Sequence, residues 1–264
     1  MTDLALQPAP FRRPAPPTWR LVVVDAFDVT PRMRRVRLVG DDMDAFAWRP
    51  GQDLKLLIPQ SGAEPARRHY TIRGWDAAEQ RLEIDVVLHG DGPGARWGRT
   101  ARLGDEIEAQ GPRGRTVLNM AADWHLFVGD ETALPAIMAM AEALPAGASA
   151  TAVIEVQDRG ERQTPLTRAR LDIEWFHRGG PPAARSPQLV ERMALYRLKP
   201  GLGQAYVIGE TAMVRAVRQG LIARGQPRER ICAEGYWRPG RVGGHDHVFD
   251  AEDAAGAVLR RLAR

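Results

Sequence analysis

The sequence predicts an N-terminal antiparallel β-barrel followed by a C-terminal α/β domain with a mostly parallel sheet. Three observations carry that expectation. The chain has 264 residues, enough for two compact domains with sizeable cores. Up to about residue 118, short alternating apolar segments follow one another between glycine and proline turns. Beyond it, apolar strands alternate with segments of helical periodicity, as in a parallel sheet covered on both faces. The chain therefore divides into a loose tail over 1–17, a barrel domain over 18–118 and an α/β domain with its C-terminal tail over 119–264.

The first 17 residues hold five prolines and no apolar stretch of the secretory kind, which predicts an extended cytoplasmic tail. In the barrel segment, RRVRLV at 34–39 sets Val36 and Leu38 against arginines, and LKLLI at 54–58 puts Leu54, Leu56 and Ile58 on one face. RHYTIR at 68–73 is rich in strand formers, and LEIDVVLH at 82–89 alternates Leu82, Ile84, Val86 and Leu88 with acidic residues. One helix, ARWGRTA, is expected after GDGPG at 90–94.

The second segment opens with the strand WHLFVG at 124–129. Thr132 is the expected N-cap of the next helix, Pro135 sits in its first turn, and Leu134, Ile137, Met138 and Ala141 form its buried stripe. Strands follow at 151–156, 172–177 and 205–209, with helices around 187–198 and 211–224, and ERICAEGYW ends a last strand at Trp237. Ligands of such sheets bind beyond the carboxyl ends of the strands.

Composition removes several functions. With 44% hydrophobic and 27% charged residues the chain is ordinary globular material, and no apolar run is long enough to enter a membrane. The net charge of +4 is evenly spread, with 18 basic against 16 acidic side chains before residue 119 and 19 against 17 after it, so there is no basic arm for nucleic acid. The single cysteine, Cys232, excludes an internal disulfide and a cysteine-ligated iron–sulfur cluster, which needs about four thiolates. His245-Asp246-His247 brings two imidazoles together, but without a third ligand it predicts no metal site.

Chemistry concentrates in a few motifs. In Arg68-His69-Tyr70-Thr71 the strand period puts Arg68 and Tyr70 on one face and Thr71 on the other, so a cation and an aromatic ring can serve one ligand. The glycines of His89-Gly90-Asp91-Gly92-Pro93-Gly94-Ala95 precede a helix start, where backbone amides and the helix dipole favour a diphosphate. Gly129 to Ile137 reads GDETALPAI, Gly209-Glu210 follows a later strand, and Gly235 to Gly240 reads GYWRPG.

These motifs, in this order across nearly the whole chain beyond the tail, resemble the siderophore-interacting proteins, FAD-dependent ferric-chelate reductases of the ferredoxin-reductase-like superfamily. The resemblance implies an FAD-binding barrel. Its cofactor residues would be Arg68, His69, Tyr70, Thr71, His89, Gly90, Gly92, Pro93, Gly94, Ala95 and Trp97, joined by Asp130, Thr132, Ala133, Tyr236 and Trp237 from the α/β domain. Lys55 and Arg113 match two of the family's three basic positions and are implied substrate contacts; the third is Cys232 here, for which Arg238 or Arg241 would compensate as a further contact. The implied reaction is reduction of an iron(III)–siderophore by NADPH or NADH through FAD, with no resident metal and no acid–base residue. His69 and His89 are then flavin-site neighbours. A ferredoxin donor stays open, and a monomer is expected. GDETALP lacks the G-x-G-x-x-G fingerprint, so a dinucleotide does not lie on this turn as it does in a dehydrogenase; the resemblance implies that the adenine end of the coenzyme falls to the loop after 151–156, where Arg159 and Arg162 suit a 2′-phosphate, while Glu155 just before it suits a ribose hydroxyl. A general flavin reductase and a non-enzymatic siderophore carrier are the alternatives.

Overall fold

The computed structural model describes residues 16–180 and 182–241 and the backbone of 246–247. Six strands, β1 (Thr18–Thr30), β2 (Met33–Gly40), β3 (Asp53–Gln60), β4 (Ala63–Asp76), β5 (Arg81–Val87) and β6 (Glu106–Arg113), close into a barrel in the order β1-β2-β5-β4-β3-β6. Alternation selects what fills it. Val36 and Leu38, Leu54 and Leu56, and Leu82, Ile84 and Val86 all point into one core and are fully buried. Each large aliphatic side chain so placed contributes roughly 1.5–3 kcal/mol.

The sequence reading does not foresee β1 and β6. Strand β1 breaks the period of two with register shifts between Val23 and Asp25 and between Asp28 and Thr30, which hides its alternation. In β6 only Ile107 and Ala109 point inward before Gly111-Pro112 ends the pattern. The barrel helix α1 (Pro93–Thr100) lies where GDGPG predicts it and packs Gly98 against Val86.

The second unit is a six-stranded sheet, β12-β11-β10-β7-β8-β9, built from β7 (Trp124–Gly129), β8 (Ser149–Val156), β9 (Arg170–His177), β10 (Gly203–Glu210), β11 (Ile231–Trp237) and β12 (Asp246–His247). All pairings are parallel except that of β12, whose backbone lies on residues Glu234 and Gly235. His245 of the histidine pair lies outside the described residues. Strand β7 is buried on both faces. Phe127 joins the core under α2 (Leu134–Glu142), whereas Leu126 and Val128 join the core under α3 (Gln188–Leu195) and α4 (Thr211–Ala223).

Thr132 does not cap α2. The residue flanking the helix is Ala133, and the Thr132 N–H and hydroxyl both donate to Asp130 Oδ1. Helix α3 stops at Leu195 rather than near 198.

Polar contacts join the two units. Arg73 of β4 makes a two-pronged pair with Glu142 of α2 at 2.6 and 2.7 Å, and Thr116 donates to Glu234 at 2.7 Å.

Candidate functional site

A cleft of about 330 Å³ opens between the barrel and the carboxyl edge of the sheet. Its barrel wall is β4 and the start of α1. Side chains of β4 alternate around it. Arg68 and Tyr70 turn towards α1, where a Cβ on Gly94 would overlap the Tyr70 hydroxyl, so glycine is the residue that lets the helix come this close. Gly90 takes φ +58°, and a Cβ on Gly90 or Gly92 would meet no protein atom within 4 Å. Gly92 flanks α1 without a side-chain cap, and Pro93 opens the helix. The first-turn N–H groups therefore have no acceptor within the helix, and together with Arg68 they suit a diphosphate.

The other face of β4 carries His69 and Thr71. Cross-strand pairing places His69 opposite Lys55 and Thr71 opposite Asp53, while β6 brings Arg113 opposite Asp53. The His69 Nδ1–H donates to Asp53 Oδ1 at 3.0 Å, and Arg113 Nε lies 3.8 Å from the same oxygen. Burial, followed by the nearby charges of Arg113 and Arg67, lowers the Lys55 ammonium below its ordinary pKa. Thr71 meets the Tyr236 hydroxyl at 3.4 Å across the cleft, and burial pushes that phenol up.

The sheet wall stands at the switch point between β7 and β10, the place where open α/β sheets hold ligands. Asp130, just past β7, is buried there. Oδ2 accepts from the Glu210 N–H at 2.8 Å and from the Trp237 indole N–H at 2.9 Å, while Oδ1 serves Thr132. Burial, and then the neighbouring Glu131, raise its pKa to about 6. Glu210 in turn caps α4 by accepting from the Met213 N–H. The ends of β7, β10 and β11 are thus tied through one carboxylate, which fixes Trp237 on the cleft.

Of the residues singled out in the sequence, Arg68, His69, Tyr70, Thr71, His89, Gly90, Gly92, Gly94, Ala95, Thr132, Tyr236 and Trp237 line this cleft together. The others stand elsewhere. Pro93 and Trp97 face an open groove beside Ile58, Pro59 and Gln60 on the far side of α1. Ala133 is fully buried, and its Cβ packs on Gly129. Asp130 acts through Trp237 and the β7–α2 loop. Lys55 and Arg113 flank His69, and Arg238 is exposed past β11.

Near the end of β8, Glu155 is buried and accepts from Ser186 and Arg178, so its carboxylate does not wait for a ribose. Arg162 donates to His177 Nε2 at 3.0 Å. Cys232 is half-buried, receives a contact from Gln204, and burial raises its thiol pKa. Arg241, a candidate from the sequence, lines the cleft, and Asp53 and Asp85 belong to the site or its support without having been singled out in the sequence. Asp53 carried a readable signal, an acidic residue two before Lys55 on the outward face of a strand.

Known proteins share the sequence and the fold of this chain. The model of the siderophore-interacting FAD-binding domain matches residues 59–116, and that of the siderophore-interacting protein matches 122–240. Ferric vibriobactin reductase ViuB of Vibrio cholerae is 31% identical over 240 residues, covering 81% of this chain and 86% of the relative. The NADPH-dependent ferric-chelate reductase of Escherichia coli is 25% identical, over 82% of this chain and 91% of that one. The crystal structure of a siderophore utilization protein from T. fusca superposes with a TM-score of 0.82 at 33% identity, over 89% of this chain and 98% of that one. The fold is shared with the ferredoxin reductase of carbazole 1,9a-dioxygenase, at a TM-score of 0.60 and 17% identity over 84% of this chain and 67% of that one. The two family models, which together match most of the chain, and a relative 31% identical over 81% of it place the chain in the siderophore-interacting protein family, with that family's FAD-binding domain.

Proposed function

We propose that the protein reduces iron(III)–siderophores to iron(II) with electrons from NADPH or NADH, through FAD held in the cleft. The observation that carries this is the union, in one cleft, of a diphosphate-type cradle on the barrel with an aromatic wall at the switch point of the sheet. The residues present fit FAD. Arg68 and the uncapped N–H groups of α1 hold the diphosphate, and the glycines leave room for its backbone contacts. Tyr70 packs beside the ring system, Thr71 offers a hydroxyl at its edge, and Trp237 with Thr132 and Pro135 bounds the side from which a nicotinamide approaches. Bound FAD supplies the conversion of a two-electron hydride donor into single-electron steps.

Lys55 and Arg113 supply positive charge next to the ring edge, which draws in anionic chelates. Iron(II) binds hard oxygen ligands less tightly than iron(III), so reduction releases the metal. The relatives' names, ferric vibriobactin reductase and NADPH-dependent ferric-chelate reductase, support the same reading.

The test follows iron(II) trapped by a ferrous chelator, with FAD-loaded protein, NADPH or NADH and a ferric catecholate under nitrogen. Iron(II) should appear at a rate that saturates with chelate. Oxidation of the coenzyme without iron(II), accompanied by reduction of added free flavin, would make the protein a general flavin reductase.

A further inference from the structure

Electron entry depends on the distance between two walls that belong to different units. Tyr70 and Thr71 stand on strand β4 of the barrel, whereas Thr132 and Pro135, which bound the approach of a nicotinamide, stand just before α2 and in its first turn. Hydride transfer falls steeply with misplacement, so the way β4 and α2 sit against each other has to be fixed. Apolar packing brings them close. Met33 of the barrel belongs to the core formed with Leu118, Met138 and Met140, and Val87 packs against it. Such packing is non-directional and sets proximity without setting an angle.

The directional contact is the pair Arg73–Glu142. Arg73 lies two residues beyond Thr71 on β4, and Glu142 is the last residue of α2. The Arg73 Nη1 and Nη2 groups donate to Glu142 Oε2 and Oε1 at 2.6 and 2.7 Å, a parallel fork that fixes distance and orientation together. A β-bulge aims it. Ile72 pairs with Ile84 and Gly74 with Glu83, so Arg73 is the extra residue that β5 does not match, and its side chain leaves the barrel for α2 while Ile72 stays in the core. Glu142 also accepts from the Leu166 N–H at 3.3 Å, and Arg73 Nε lies 3.7 Å from Asp85 Oδ2, a carboxylate already gripped by Arg35. Thr30 on Glu161 and Thr116 on Glu234 cross between the units too, but a single rotating hydroxyl sets no plane.

We propose that Arg73 and Glu142 are positioning residues for hydride transfer, a two-pronged clamp that sets the spacing between the flavin wall and the nicotinamide wall. The inference rests on the reading of the cleft as a site for FAD and NAD(P)H. The clamp touches neither ligand. It holds β4, which carries the flavin side, at a fixed angle to α2, whose first turn carries the coenzyme side.

The experiment measures single-turnover reduction of bound FAD under nitrogen in wild type, Arg73→Lys and Arg73→Met, with whichever of NADPH and NADH reduces the wild type faster. Arg73→Lys keeps the charge and loses the fork. The limiting rate should fall roughly tenfold in Arg73→Lys and roughly a hundredfold in Arg73→Met, while the coenzyme concentration at half that rate changes by less than about twofold. Reduction by dithionite, which needs no docked nicotinamide, should keep its wild-type rate, and flavin-free protein should keep its affinity for FAD. A second measurement uses neither turnover nor cofactor. Spin labels at the exposed positions Leu103→Cys of the barrel and Leu195→Cys of α3, with Cys232→Ser, should report one narrow distance when Arg73 is present and a broader spread with Arg73→Met. A limiting rate unchanged in either Arg73 variant, FAD affinity lost in step with the rate, or an unchanged distance distribution overturns the proposal. Wild-type flavin that neither NADPH nor NADH reduces overturns the functional reading itself, a result read on the wild type alone and distinct from these.

Discussion

On the barrel wall of the cleft, Arg68 and the uncapped first turn of α1 present positive charge, whereas on the sheet wall the ends of β7, β8 and β10 carry Asp130, Glu155 and Glu210. The contrast shows how one cleft can divide its work. On the barrel, Arg68 spends one guanidinium N–H on the Arg67 carbonyl, and the first-turn N–H groups of α1 have no acceptor within the helix. The sheet spends its carboxylates on its own chain: Asp130 on Thr132, Glu210 and Trp237, Glu210 on α4, and Glu155 on Arg178 and Ser186. A phosphate set against Asp130 would meet negative charge and find the nearest N–H groups already used. The sheet wall is therefore an aromatic and apolar surface braced by buried acids, and the proposed function assigns anion recognition to the barrel.

The largest effect should come from breaking the barrel side by filling it. In Gly94→Val the added methyl groups overlap the Tyr70 hydroxyl, forcing the ring or the helix away from the cleft. Overpacking of this kind costs about 1–3 kcal/mol. The variant should lose several degrees of thermal stability and copurify with little or no FAD, checked by its melting curve and visible spectrum.

An intermediate effect should come from the sheet wall. Asp130 has a pKa of about 6 in the folded chain, above the unfolded value of about 4, so the folded state holds the proton more tightly. That stabilisation is complete below about pH 4 and is lost as pH rises through 6. Asp130→Asn cannot ionise. Relative to the variant, the wild type should lose up to about 3 kcal/mol between pH 4 and 7, a difference read from paired unfolding curves. An identical pH dependence in the two proteins would mean that the carboxylate is not strained by its burial. The same substitution should leave FAD bound, because Asp130 faces the tryptophan and not the diphosphate cradle.

The smallest effect concerns Lys55 and Arg113, which are partly solvated. Lys55→Glu should lower kcat/KM for an anionic ferric catecholate by several-fold, spare a neutral ferric hydroxamate, and matter less as salt rises. Equal losses for both chelates would remove the steering role.

How much of this was legible in the sequence depended on the range of the interaction. Strands β2, β3 and β5 announce themselves because Val36, Leu54 and Ile84 repeat with a period of two, while the bulges of β1 break that period. The cleft's local pieces, Arg68 to Thr71 and Gly90 to Gly94, are contiguous and were readable as motifs. The Asp53–His69 pair was not, since it exists only once the register of β3 against β4 is set. Nor does any local rule reveal that Asp130 reaches Trp237, 107 residues away. Arg241 rather than Arg238 reaches the cleft because β11 ends at Trp237 and the turn after it decides which side chain comes back. Thr132 looked like a helix cap from composition, but the buried Asp130 carboxylate competes for it and wins.

The most direct test of the division between the walls is titration of FAD into flavin-free wild type, Arg68→Ala and Trp237→Ala, followed by quenching of flavin fluorescence. Loss of the charge-assisted bonds of Arg68 should weaken binding by roughly a hundredfold, and loss of the indole should weaken it by less than tenfold while slowing reduction by NADPH. If Arg68→Ala binds FAD as the wild type does, or if Trp237→Ala loses it as completely as Arg68→Ala should, the barrel does not carry anion recognition and the account fails.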